Sequence, residues 1–284
     1  MTASRDAAVG LNVFVLYASA LYAVGTALFA LTVGLPAGAS TRPGRWAALI
    51  AALAFVLAVG LGGGNLLGEG ADTLLGGAAW RLAFGTTLGT SAVLGVPAML
   101  GLAWGLQRGA RAGLAVGVVL GMGAFLVTGH AATAAPPWLT APAVGIHIAA
   151  VAFWLGALVP LSVVARMQTP VAAAAVMQRF SRMAVVAVAA LIASGMAITL
   201  VQMPGYAGFM STDYGVRLLL KLAAFAGLLT LATVNKFVLT PRLEEGDAET
   251  AQALRRAIVI ELCLFAVIIG AAAALSLAEP PRSL

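Results

Sequence analysis

The sequence predicts an all-α fold: a polytopic membrane bundle of eight transmembrane helices, forming one integral membrane domain over residues 1–284. Three observations predict it. The chain is 62% hydrophobic and only 9% charged, where a soluble domain carries roughly 25% charged residues. Its mean hydropathy of +1.02 means more apolar surface than a water-soluble core could enclose. Apolar runs of spanning length, about 20 residues, recur along the whole chain between short breaks rich in Pro, Gly or charge.

Taken in order, the runs place spans near 9–33, 46–64, 81–105, 113–129, 143–165, 181–202, 216–238 and 257–277. The first is too long for the apolar core of a signal peptide and lacks a convincing cleavage site, so it reads as a retained span. TRPGR at 41–45, QRGAR at 107–111, APPWLTAP at 135–142 and RLEEGDAE at 242–249 supply the breaks. The Gly-rich stretch 60–77 reads as an interfacial or re-entrant piece. No internal repeat is visible, so an inverted-repeat transporter architecture has no support.

Sidedness follows from the cations. Arg42, Arg45, Arg108, Arg111, Arg166, Arg179, Arg182, Lys236, Arg242, Arg255 and Arg256 fall on one side, eleven in all, against Arg5, Arg81, Arg217, Lys221 and Arg282 on the other. The first set belongs in the cytoplasm, which puts both termini outside. The excess of 16 Lys+Arg over 10 Asp+Glu thus marks loops, not a nucleic-acid footprint. Cys263 is the single cysteine, which leaves no disulfide and no Cys-based metal cluster. No phosphate-binding Gly-rich Lys-Ser/Thr loop, no Cys-x-x-Cys or Cys-Pro-Cys and no Ser/His/Asp grouping occurs. ATP hydrolysis, thiol relay and acyl-transfer chemistry therefore have no carriers, and no enzymatic activity is expected.

The only two histidines, His130 and His147, flank the Pro-rich 135–142 break. His130 closes the fourth predicted span. His147 lies about one turn into the fifth, about 6 Å below its predicted start at 1.5 Å per residue. Both fall near the outer face, on spans that a short loop makes antiparallel neighbours.

The stretch GIHIAAVAFWLGALVPL, with His147, six residues, Trp154, one residue and Gly156, resembles a segment of the CopD family of bacterial inner-membrane copper proteins. The resemblance continues through RFSRMAVVAVAALIASG at 179–195, DYGVRLLLKLAAF at 213–225 and NKFVLTPRL at 235–243. It closes with LRRAIVIELCLF at 254–265 and Pro280-Pro281, making 125–281 the CopD-like region. It implies a multi-pass protein of the bacterial inner membrane that moves or handles copper, with lipid, the copper ion and a small periplasmic carrier of the CopC type as partners.

Imidazole and thioether are ligands copper accepts, thioether favouring Cu(I). The outer side offers His130, His147, Met203 and Met210, with Met196 about two turns below Met203. That set suits Cu(I), or Cu(II) if water or Asp213 joins. The alternative for the histidines is a helix-end hydrogen bond, and for the methionines plain packing. Asp213, Arg217 and Lys221 share one face at i, i+4, i+8. Lys221 reads either as a lysine snorkelling outward or as a cation acting on the metal site. Glu261 is the one acid within a span, about a turn from the cytoplasmic end. It is expected to pair with Arg179, Arg182 or Lys236, or to serve an exit path or proton coupling. Asn235 joins the same cluster, and Trp154 reads as packing or an interface contact.

Three functions compete. One is copper transport with capture at the outer His/Met site. A second is a haem-binding or redox protein, because the family more distantly resembles HemJ-type oxidases, with His147 and Lys221 as the corresponding residues. A third is a docking subunit for a periplasmic copper carrier, with Glu69 and Asp72 in its outer surface.

Overall fold

The computed structural model describes residues 2–36, 38–68, 74, 77–128, 136–164, 170–202, 213–245 and 248–277. Side chains are described over these except 2–6, 170–175, 202, 213–214, 243–244, 248–249 and 251. His130, Met203, Met210, Glu69, Asp72 and Pro280-Pro281 lie outside the described residues, as does the side chain of Asp213.

All regular structure among the described residues is helical: α1 (Thr2–Thr32), α2 (Arg42–Leu67), α3 (Gly77–Phe84), α4 (Thr87–Arg108), α5 (Arg111–Leu126), α6 (Pro137–Val164), α7 (Pro170–Gln202) and α8 (Asp213–Val234), then a π-helical turn (Asn235–Leu239), α9 (Thr240–Glu244) and α10 (Ala248–Ser276). Among the described residues, seven helices are long and apolar enough to cross a membrane. The fourth predicted span is α5, which at 16 residues measures about 24 Å, short of the roughly 30 Å of a hydrocarbon core. The third predicted span is split. Gly85-Thr86 ends α3, and the Thr86 side chain accepts from the Leu88 amide at 3.2 Å to start α4. Part of the Gly-rich stretch 60–77 continues α2 as far as Leu67, and Gly68 closes that helix at φ +73°.

In lipid every hydroxyl and amide needs a protein partner. Thr26, Thr32, Thr199, Thr230 and Thr233 donate to the carbonyl four residues back. Asn12 Nδ2 donates to Ala54 O at 3.2 Å and Ser91 Oγ to Ala124 O at 2.7 Å, tying α1 to α2 and α4 to α5.

α1 is the central post, packed by α2, α4, α5, α6 and α10. Against α6 the approach is backbone on backbone: a Cβ on Gly25 would lie 1.7 Å from Ala152 O, and one on Gly156 2.1 Å from Gly25 C. α7 rests on α6 and α8 on α10, while α7 and α8 barely touch each other. Each outer span buries 11% of its apolar window, where α1, α2, α4 and α6 bury 50–56%.

Cross-links sort the ends of the bundle. Arg45 Nη2 donates to Gln107 Oε1, Arg111 Nη2 to Leu31 O (both 3.0 Å) and Arg179 Nη1 to Val33 O at 3.4 Å. Three of the cations assigned to one side therefore gather at the C-terminal end of α1. Arg217 Nη1 donates to Ala274 O at 3.0 Å, at the other end. α5 runs antiparallel to α1, with Arg111 beside Leu31 and Phe125 edge-on to Tyr17 at 5.7 Å.

Candidate functional site

Two polar stations sit along one face of α6, at His147 and at Trp154, seven residues and about 10 Å apart.

α6 begins at Pro137 rather than near 143, because the Pro-rich break contributes its own last residues to the first turn, where proline is tolerated. His147 is therefore ten residues and about 15 Å into its helix, within about 5 Å of the helix midpoint. This corrects the expectation of a shallow position. Gly195 of α7 makes room for the ring: a Cβ there would meet Cε1 at 3.3 Å and Nδ1 at 3.5 Å. Beside it Ser194, 5% exposed, places Oγ 3.4 Å from His147 Nδ1 and 3.2 Å from Leu191 O. A hydroxyl has one proton, and the Leu191 carbonyl can only accept. With Ser194 donating to Leu191 O, its oxygen can accept from Nδ1–H, and in that tautomer the lone pair sits on Nε2. Lys221 of α8 is near enough for its charge to act on the ring. A bare imidazole nitrogen held by a hydrogen bond on its other nitrogen is the arrangement of a metal-ligating histidine.

Met196 does not join it. Two residues past Ser194 it is turned by about 200° around α7, and it is 58% exposed. Arg217 caps the C-terminal end of α10 through Ala274 O. Among the described residues no three His, Cys, Asp or Glu side chains converge.

The second station surrounds Glu261, 4% exposed on α10. Trp154 Nε1 donates to Oε2 at 3.3 Å and Asn235 Nδ2 to Oε1 at 2.5 Å. The Trp154 ring, 6% exposed, also meets Phe265 edge-on at 5.9 Å, so its expected packing role is joined by a donor role. The expected ion pair is absent among the described residues. Arg179 is spent on Val33 O, Lys236 Nζ sits 5.2 Å over the Phe237 ring and Arg182 is exposed. The reason is depth. α10 starts at Ala248, so Glu261 is thirteen residues in and about 5 Å from the middle of the apolar segment Gln252–Ser276, beyond those cations.

The π-helical turn presents Asn235. Pro241 has no N–H to offer the Phe237 carbonyl four residues back, and the wider turn absorbs the mismatch. The Thr240 amide and hydroxyl both donate to Asn235 O instead. Among the described residues Asn235 Oδ1 is left buried with no hydrogen-bond partner.

Sequence reasoning missed Ser194 and Gly195. The one signal was two small residues side by side in LIASGM, whose facing could be read only with the α6–α7 register in hand.

Residues 174–275 match the family model described as Copper resistance protein D. A protein named copper resistance protein D from Pseudomonas syringae pv. tomato is 31% identical over 147 residues, 48% of this chain. The match spans about half of that relative, 47% of its length. No solved structure matches. The family-matched region includes Ser194, Lys221, Asn235 and Glu261, and begins after His147 and Trp154.

Proposed function

We propose, from the match of residues 174–275 to the copper resistance protein D family model, that the protein carries copper across the membrane, taking the ion at His147. The apolar helices and that kinship make it a multi-pass protein of the bacterial inner membrane. The observation that carries the proposal is the His147 ring seated against Gly195 within the bundle, with Ser194 Oγ 3.4 Å from Nδ1, a geometry that suits Nε2 as a ligand.

In this reading the chain crosses the membrane eight times, α5 included, with both termini outside and the arginine-rich end in the cytoplasm. His130, Met203 and Met210, which lie outside the described residues, would meet the ion before it reaches His147. A nitrogen and thioether set favours Cu(I). Lys221 beside the site opposes two positive charges at once, so the ion is held loosely enough to move on. The end of the bundle holding Arg217 faces the periplasm, where a CopC-like carrier would deliver the ion.

Copper uptake into vesicles tests the proposal. Protein reconstituted in liposomes is expected to accumulate copper inside them above protein-free controls. Copper bound outside without uptake would favour a docking subunit instead. A Soret band in the purified protein would favour the haem reading. Either result contradicts transport.

A further inference from the structure

Glu261 presents a separate problem. A carboxylate near the middle of an apolar span is costly unless a cation pairs with it, and none does among the described residues. Its surroundings are two neutral donors, Trp154 and Asn235. Among the described residues, the charged and titratable groups on the neighbouring elements do not bond to it. On α8, Arg217 bonds Ala274 O and Lys221 acts on His147. After it, Lys236 lies on Phe237, and Arg242 and Glu245 are exposed. On α1, Tyr17 meets Ser276 and Tyr22 meets Thr26. On α10 itself the nearest charged residues are Arg255 and Arg256, six and five residues away, with Glu249 about 18 Å along the axis. Only Trp154 and Asn235 act on the carboxyl.

A second observation concerns the amide. Asn235 Oδ1 is a buried acceptor with nothing to accept, although its own Nδ2 touches Glu261. The 2.5 Å separation is shorter than the usual ~2.7–3.2 Å of N–H···O and lies within the ~2.5–3.0 Å of O–H···O.

We propose that Glu261 binds and releases a proton at mid-depth in the bundle, and that the Asn235 amide turns to follow it. With the proton on, Oε1–H donates to Asn235 Oδ1 while Trp154 continues to donate to Oε2. With the proton off, having passed to water, the amide turns and Nδ2–H donates to the carboxylate. The proton leaves to water and returns from it, so atoms and charge are conserved, and in each state one end of the Asn235 amide bonds Oε1. Oxygen atoms of this kind suit a proton and not a soft Cu(I) ion, so the station is distinct in chemistry from His147. It does not rest on the copper reading, and it gives a copper carrier a place where proton movement can be coupled to its cargo.

Infrared spectroscopy of the metal-free protein in lipid tests this. The wild type is expected to show the carbonyl stretch of a protonated carboxyl that shifts in D2O and fades as pH rises. Glu261→Gln is expected to lose the band. Trp154→Phe is expected to keep it at a shifted frequency, because the hydrogen bond to Oε2 is gone, and this assigns the band even if Glu261→Gln fails to fold. No such band in the wild type, a band surviving Glu261→Gln, a band unmoved in Trp154→Phe, or one that never fades while the protein stays folded would each overturn the proposal. Because no copper is present, failure here is distinguishable from failure of the copper site.

Discussion

Gly25→Leu is expected to abolish stable folding in detergent. The Cβ alone would fall 1.7 Å from Ala152 O and 2.9 Å from Gly156 N, so the obstacle is a helix backbone that cannot rotate aside. Membrane helices have little hydrophobic drive between them and associate through close packing of small residues. Separating α1 from α6 therefore removes the contact itself, and α1 is the element on which α2, α4, α5 and α10 also pack. Overpacking in a core typically costs about 1–3 kcal/mol; with backbone on both sides the expectation is the top of that range or beyond. The measurement is thermal unfolding with size-exclusion profiles, beside Gly101→Leu as control, since a Cβ on Gly101 meets nothing within 4 Å. A Gly25→Leu protein that unfolds at the wild-type temperature would show that α1 and α6 do not meet in this way.

His147→Ala is expected to lower copper affinity by at least roughly 100-fold, beyond the 10–100-fold that removing a hydrogen-bond partner of a ligand costs. Ser194→Ala is expected to fall within that 10–100-fold range, because the Nε2 ligand remains but its tautomer and ring angle are no longer fixed. Met196→Leu is expected to bind as the wild type does, since that side chain faces away from α6 and is 58% exposed. Competition titrations with a copper chelator on the three proteins supply the comparison. An unchanged affinity in His147→Ala, or a large loss in Met196→Leu, would reverse the assignment.

Much of the fold was legible because lipid imposes a simple rule: about 20 apolar residues per crossing, broken by Pro, Gly and charge. The rule found every long helix. It faltered at α3–α4, where Thr86 offers a local cap inside an apolar run, and at α6, where Pro136 and Pro137 open a helix that hydropathy started later. Of the cations counted to one side, Arg111 and Arg179 bond carbonyls at the C-terminal end of α1 and Arg45 bonds Gln107; which side of a membrane that end faces is not part of the fold. The site was less legible. The sequence pointed to His147, Trp154, Asn235 and Glu261, since polar groups are rare in such segments. It gave Glu261 a cationic partner that depth forbids, and it missed Ser194, because which residues of α7 face α6 is a property of packing. Asn235 was assigned to the right cluster without its reason, which is a π-helical turn set by Pro241.

The most direct measurement is X-ray absorption at the copper edge on the purified protein loaded with one equivalent of Cu(I). The wild type is expected to show the multiple-scattering signature of imidazole, and His147→Ala a weaker one. A copper environment of sulfur and oxygen scatterers alone, the same in both proteins, would contradict it.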